Sequence, residues 1–237
     1  MEFQTPLVPG RLLRRYKRFL SDVVLETGEE VVAHCPNPGS MMGLKEPGLR
    51  VWVEPNDDPK KKLKYAWRVA QLDDGTMVGI DTAVPNRVTK EALLEGRIAE
   101  LSAYGGVRPE VPYGTRSRID FLLTEDGLPD AYVEIKNVHL LRTGDWAEFP
   151  DCVTERGAKH LRELILVKEA GHRAVMIYVI QHEGCGRVRV AADLDPGYAQ
   201  AFREAVDAGV EMLAYRCDVS TGEIVLGPSL PVDLGAG

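Results

Sequence analysis

Apolar and polar residues alternate most tellingly in the middle of the chain, in Arg118-Ile119-Asp120-Phe121-Leu122-Leu123 and again in Tyr132-Val133-Glu134-Ile135-Lys136. Side chains along a strand point to opposite faces in turn. Ile119, Phe121 and Leu123 are therefore expected on one face, with Asp120 and Leu122 on the other. In the second run Val133 and Ile135 share a side and leave Glu134 and Lys136 opposite. The connecting Glu125-Asp126-Gly127-Leu128-Pro129-Asp130 has turn chemistry, which predicts an antiparallel hairpin. Burying both apolar sets together fixes a register that sets Asp120 beside Glu134 or Lys136.

The flanking patterns are helical. Residues 86–101 carry Val88, Ala92, Leu94, Ile98 and Leu101 near helical spacing, after Pro85. Residues 154–170 predict a second helix, capped by Thr154 or Asp151 and ended by Gly171. The run 173–180 is almost continuously apolar, as in a strand buried on both faces. Beyond His182, residues 196–208 read as an amphipathic helix, 210–219 as a strand and 222–226 as an edge strand, and the last residues, 234–237, are expected to fray. Before Pro85 the chain reads as short strands and turns: 14–26 and 30–35 around Thr27-Gly28-Glu29, 49–54 alone, and 64–72 and 76–81 around Asp73-Asp74-Gly75. Five such strands fit a small barrel of the OB type, or another small barrel. The expected architecture is mixed α/β: an OB-like β-barrel over 1–82, then a mixed sheet flanked by helices over 83–237.

Composition narrows the function classes. A 237-residue chain with 44% hydrophobic residues can build proper cores. No apolar stretch approaches the roughly 20 residues of a membrane span, and the N-terminus lacks a signal-peptide pattern, so a cytoplasmic protein is expected. Cys35, Cys152, Cys185 and Cys217 are scattered without paired spacing, which predicts reduced thiols and neither a zinc site nor a disulfide framework. The histidines likewise show no metal-ligand spacing. Self-association into a homo-oligomer is left open.

A net charge of -7 argues against a uniformly basic nucleic-acid binder, but local patches set the field a polyanion meets. Arg11, Arg14, Arg15, Lys17 and Arg18 surround Tyr16, and Lys60, Lys61, Lys62, Lys64 and Arg68 are interleaved with Tyr65 and Trp67. Arg14, Tyr16, Arg18, Lys60, Lys61, Lys62 and Lys64 are therefore candidates for backbone contact and base stacking. On the helix over 154–170, Arg156, Lys159, His160 and Glu163 form one stripe, where Arg156 and Lys159 suit a phosphate. The turn Pro36-Asn-Pro-Gly-Ser-Met-Met-Gly43 is read either as a phosphate cradle or as an approach to the second domain.

Two carboxylates set close together repel unless a cation lies between them, and hard oxygen ligands suit Mg2+ or Mn2+ better than zinc. Asp120 and Glu134 are the expected metal ligands, with Lys136 placed to orient a water or offset charge developing on phosphorus. A Glu-x-Lys alternation is ordinarily a solvated face; the preceding Asp strand of matching parity sets this one apart. Glu91, Glu95, Glu100 and Asn86 compete to complete the site.

The order of helix, antiparallel strands, helix and strand, with Asp120 and Glu134-x-Lys136 in it, resembles the PD-(D/E)xK phosphodiesterase superfamily. Longer runs narrow the resemblance. His34-Cys-Pro-Asn-Pro-Gly-Ser-Met41, Arg116-Ser-Arg-Ile-Asp-Phe121, Glu134-Ile-Lys-Asn-Val138 and Phe149-Pro-Asp-Cys-Val-Thr-Glu-Arg-Gly-Ala-Lys-His-Leu161 are similar to the sugar fermentation stimulation protein A family, across essentially the whole chain. That resemblance implies an OB-like domain joined to a restriction-endonuclease-like domain, DNA as partner, and a role in regulating sugar utilisation. Pro38 stands where threonine is expected and Ala158 where glutamine is expected, which weakens the expectation that this helix touches phosphate or water directly. Two functions follow: a DNA-binding protein with divalent-metal-dependent nuclease activity through Asp120, Glu134 and Lys136, or a non-catalytic DNA-binding regulator of sugar-utilisation genes on a nuclease scaffold.

Overall fold

The computed structural model describes residues 1–114 and 117–235. The N-terminal third is a barrel built from β1 (Val8–Tyr16), β2 (Leu20–Leu25), β3 (Glu30–His34), β4 (Arg50–Pro55) and β5 (Tyr65–Gln71), with β6 (Met77–Gly79) added to the sheet edge. Strand order is β3-β2-β1-β4-β5-β6, and a parallel β3–β5 pairing closes five strands into the barrel. Alternation drives this: Val23 and Leu25 in β2 and Val31 and Ala33 in β3 point inward and are buried, while Asp22, Glu30 and His34 point outward together with Val24 and Val32. The run read as one strand over 14–26 is two strands, because Lys17 and Arg18 take positive φ of 48° and 64° and reverse the chain. Trp67, expected among the surface aromatics, is fully buried in the barrel core, where its Nε1 donates to the Val69 carbonyl at 3.0 Å. It is not a stacking platform.

The second domain is a six-stranded sheet in the order β15-β14-β12-β9-β8-β7, formed by β7 (Gly106–Tyr113), β8 (Ser117–Thr124), β9 (Ala131–Val138), β12 (Arg173–Ile180), β14 (Glu211–Val219) and β15 (Ile224–Ser229). A small sheet of β10 (Leu140–Leu141), β11 (Trp146–Phe149) and β13 (Arg187–Val190) stands beside it. β8 and β9 pair antiparallel, while β9, β12 and β14 run parallel. Of the helices α1 (Val84–Leu94), α2 (Glu155–Glu169) and α3 (Pro196–Asp207), α1 covers one face and the other two cover the opposite face. After Arg173 the apolar run of β12 explains itself: Val175, Ile177 and Val179 pack on the α1 side, and Ala174, Met176, Tyr178 and Ile180 on the α2–α3 side.

The expected helix over 86–101 is interrupted. α1 stops at Leu94, Gly96 takes a φ of 66°, and a separate 3-10 turn forms at Ala99–Leu101. The Thr154 side chain caps α2 by accepting from the Gly157 amide at 3.1 Å; Asp151 does not serve as the cap. The domains are tied together at several points. The Gly79 amide donates to the Gln181 carbonyl, and residues 1–3 reach the second domain, where the terminal amine meets Glu91 at 2.8 Å and the Phe3 amide donates to the Gly222 carbonyl. Among the described residues, no helix is long and apolar enough to cross a membrane.

Candidate functional site

The β8–β9 hairpin forms as its turn predicts, with Phe121 opposite Val133, Leu122 opposite Tyr132 and Leu123 opposite Ala131. The ladder ends there. The next amide that would pair, Ile135 N–H, donates at 2.7 Å to the Asp120 carboxylate, so this side chain occupies the gap where the strands part. The parting also breaks the expected parity. Ile119 packs with Leu122 in the α2-side core, not with Phe121 and Leu123, because one residue of strict alternation is lost at Asp120.

Four groups fix this centre. Asn86, in the first turn of α1, donates to Asp120 Oδ1 at 2.7 Å, which distinguishes it from its rivals. Glu91 pairs with the terminal amine, Glu95 with Arg97, and Glu100 accepts from the Tyr215 hydroxyl. From β9, Lys136 Nζ lies 2.7 Å from Glu134 Oε1. From α2, His160 Nδ1 makes a short contact to the same oxygen and lies 3.2 Å from Lys136 Nζ. Arg156 Nε donates to His160 Nε2 at 3.3 Å, which assigns the ring N–H to Nδ1 and makes it the donor to Glu134.

The electrostatics separate the two acids. Burial pushes the Asp120 carboxyl above the usual range and the neighbouring Glu134 charge adds to this, against the Ile135 amide, Asn86 and Lys136. Burial also raises Glu134, but the hydrogen bond from His160 and the charge of Lys136 outweigh it and hold the group below the usual range. Glu134 is 3% exposed, and its second oxygen, Oε2, has no hydrogen-bond partner. Tyr113 on β7 presents a buried hydroxyl, also without a partner; burial raises its ionisation far above normal, and the charges of Glu134, Glu163 and Asp120 add to that.

The remaining candidates are distributed around this centre. On α2, Arg156 reaches it through His160, and Lys159 bonds Ser117 Oγ at 3.1 Å and Glu163 at 3.5 Å. Ala158 is buried and adds no polar contact. On the barrel, Arg14 and Tyr16 both bind Asp22, and the Arg14 guanidinium lies 4.9 Å from the Tyr16 ring centroid. Arg18 is exposed, as are Lys60, Lys61, Lys62 and Lys64, the last donating to the Asp58 carbonyl at 3.0 Å. Among the described residues, the direct partners of Asp120, Glu134 and Lys136 beyond one another are Asn86, Ile135 and His160, none of them from the barrel. Arg116 of the sequence motif lies outside the described residues.

One role escaped sequence reasoning, and one open alternative is decided. His160 looks like a lone packing histidine; its place on one helical stripe with Arg156 was the signal. The turn over 36–43 resolves as an approach to the second domain: Asp151 accepts from the Ser40 amide at 2.9 Å and the Ser40 hydroxyl at 3.2 Å, and the Gly39 amide is taken by Asn37. The Gly39, Ser40 and Met41 amides are thus taken by side chains of the protein itself, which disfavours the phosphate-cradle reading.

The geometry can hold a hard divalent cation. The Glu134 charge raises the cost of ionising the partly buried Asp120, and Glu134 Oε2 lacks a partner among the described residues; a cation at that point satisfies both. Among the described residues, no three His, Cys, Asp or Glu side chains cluster as a complete cage. Two carboxylates completed by water and substrate oxygens are nonetheless the usual way Mg2+ is bound.

An OB-type barrel joined to a restriction-endonuclease-like domain with an Asp, Glu-x-Lys centre defines the class. Residues 13–80 match the OB-domain model of the sugar fermentation stimulation protein, and residues 83–223 match its RE-domain model. The chain belongs to the sugar fermentation stimulation protein family. It is 65% identical over 237 residues to the sugar fermentation stimulation protein homolog of Dinoroseobacter shibae, covering 100% of this chain and 97% of that one. The homolog of Agrobacterium fabrum is 52% identical over 233 residues, covering 98% and 97%. Among solved structures, that of Pyrococcus furiosus SfsA in complex with Ca2+ superposes with a TM-score of 0.87 at 28% identity, covering 98% of each chain.

Proposed function

We propose that this protein binds DNA and hydrolyses its phosphodiester backbone with Mg2+ or Mn2+ held by Asp120 and Glu134. The observation that carries this reading is the pairing of partly buried Asp120 with buried Glu134 at the parting of β8 and β9, with Glu134 Oε2 unpartnered among the described residues and Lys136 2.7 Å from Oε1. A bound cation supplies a Lewis acid and lowers the pKa of a coordinated water. The chain's own residues do the rest. Asn86 and the Ile135 amide hold Asp120 in place, and His160 with Lys136 occupies one Glu134 oxygen and leaves the other for a ligand. Lys136 offers a positive charge to a phosphate oxygen, and Arg156 and Lys159 lie on the same helix face for backbone contact. The Ca2+ complex of the Pyrococcus furiosus protein supports a hard dication as ligand of this fold.

The second reading, a non-catalytic DNA-binding regulator of sugar-utilisation genes, is favoured by the name its relatives carry and by the absence of a third acidic ligand among the described residues. A cleavage assay on single-stranded, duplex and branched DNA and RNA, with and without Mn2+, separates them. Cation-dependent products that vanish in Asp120→Asn and Lys136→Ala support the nuclease. Strong DNA binding with no cleavage in Mg2+ or Mn2+ leaves the regulator.

A further inference from the structure

The barrel carries an exposed aromatic pair that the carboxylate centre does not use. Phe19, 48% exposed, stacks on the exposed His34 ring with centroids 6.5 Å apart and planes 17° from parallel. The pair is held outward by the backbone. Phe19 follows Lys17 and Arg18, whose positive φ is unfavourable for residues with side chains, and its carbonyl accepts from the Cys35 amide at 2.8 Å. His34 also borders a cavity of about 510 Å³ that Tyr65, Lys61, Lys62 and Arg68 help to line.

The charges around this surface are sorted. Arg68 pairs with Glu54, which also borders the cavity, and with Asp81; Asp22 is taken by Arg14 and Tyr16. Asp57 on the cavity wall opposes an anion, but Lys61 and Lys62 lie on the same wall, and Lys17 and Arg18 flank Phe19. An apolar ring face bordered by cations fits a base with its phosphate.

We propose that the barrel binds a single-stranded stretch of nucleic acid, one base stacking on the Phe19–His34 pair and the next entering the cleft beside Tyr65. This rests on the DNA-binding part of the proposed function. In a duplex each base is already stacked between neighbours and has no free face for a side chain, so the pair discriminates in favour of unpaired strand. The track leads toward the carboxylate centre. The loop after His34 bonds Asp151, four residues before α2, whose first turn carries Arg156.

The test is fluorescence anisotropy in EDTA, comparing labelled oligo-dT with a duplex of equal length, on the wild-type chain, Phe19→Ala with His34→Ala, and Phe19→Tyr. The expected result is about a tenfold or greater loss of oligo-dT affinity in the double variant, duplex affinity essentially unchanged, and Phe19→Tyr close to wild type. Because both aromatics are exposed, the double variant is expected to keep the wild-type melting temperature. Unchanged oligo-dT affinity in the folded double variant, or an equal loss on both substrates, overturns the proposal while leaving the proposed function intact. A wild-type chain that binds neither substrate overturns both.

Discussion

Asp120 and Glu134 are two acids at one site, yet their neutralisation should move stability in opposite directions without metal. Asp120→Asn removes a buried charge that faces a like charge. Its hydrogen bonds survive, because the Asn86 amide can turn over and accept from the new NH2 while the Ile135 amide keeps an oxygen. Relief of an imperfectly compensated buried charge is worth about 1 kcal/mol, or roughly 2–4 °C in melting temperature for a chain of this size. Glu134→Gln breaks an ion pair whose members are 3% and 12% exposed. It strands the Lys136 charge, at a cost of about 3–5 kcal/mol, so melting should fall by roughly ten degrees.

The pH dependence follows from the same shifts. Asp120 sits above its ordinary range, so its ionisation penalty grows as pH rises through the folded value; the advantage of Asp120→Asn is present at neutral pH and disappears in acid. Glu134 sits below its ordinary range, so the stability it confers is present above that range and is lost as pH falls through the folded value. With Mn2+ at a hundred times its dissociation constant the wild type should gain about 2.7 kcal/mol, and both variants should lose that gain. Differential scanning calorimetry across pH, with EDTA and with Mn2+, checks all of this. Shifts of the same sign in EDTA, or a full Mn2+ response in Asp120→Asn, refute the assignment of the two acids.

Three further outcomes are expected. Replacing Lys60, Lys61, Lys62 and Lys64 with alanine should weaken DNA binding and flatten the slope of log affinity against log salt by about 0.9 for each phosphate no longer neutralised; an unchanged slope makes this run a solvated surface. Asp151→Ala should lower stability by about 1–3 kcal/mol, because the Ser40 amide and hydroxyl lose their acceptor at the domain junction, and thermal unfolding measures it. His160→Ala should weaken Mn2+ affinity in calorimetry while leaving metal-free duplex affinity near wild type, since His160 is buried and bonds Glu134; His160→Gln, which retains a donor for Glu134, should recover part of the loss.

What was legible in the sequence is what short-range periodicity encodes. The hairpin of β8 and β9, the cap of α2, the two-sided burial of β12 and the edge position of β15 all follow from alternation, turn chemistry or capping within a few residues. What escaped depends on partners distant in sequence. β7, β10, β11 and β13 are strands only because neighbours offer hydrogen bonds, and β10 is two residues long. Parity failed at Asp120 because alternation presumes an unbroken ladder, whereas the side chain replaces a rung there. Trp67 reads as a surface aromatic beside lysines, yet it packs with Val53, Ala70 and Val78 and fills the barrel.

The choice of Asn86 over three glutamates shows why the site itself was only half legible. All four residues lie in or near α1, and glutamate is the better anion for a metal, so residue type favours the wrong ones. Position decides instead: Asn86 is in the first turn, over the gap between β8 and β9, whereas Glu91 and Glu95 lie farther along and meet cations of their own. A neutral amide there also has a physical advantage. A third carboxylate beside Asp120 and Glu134 would raise the cost of the metal-free state further, while Asn86 fixes the orientation of Asp120 and adds no negative charge. The centre thereby keeps its geometry with no cation bound, and under the proposed function the unpartnered oxygen of Glu134 is the group that would bind one.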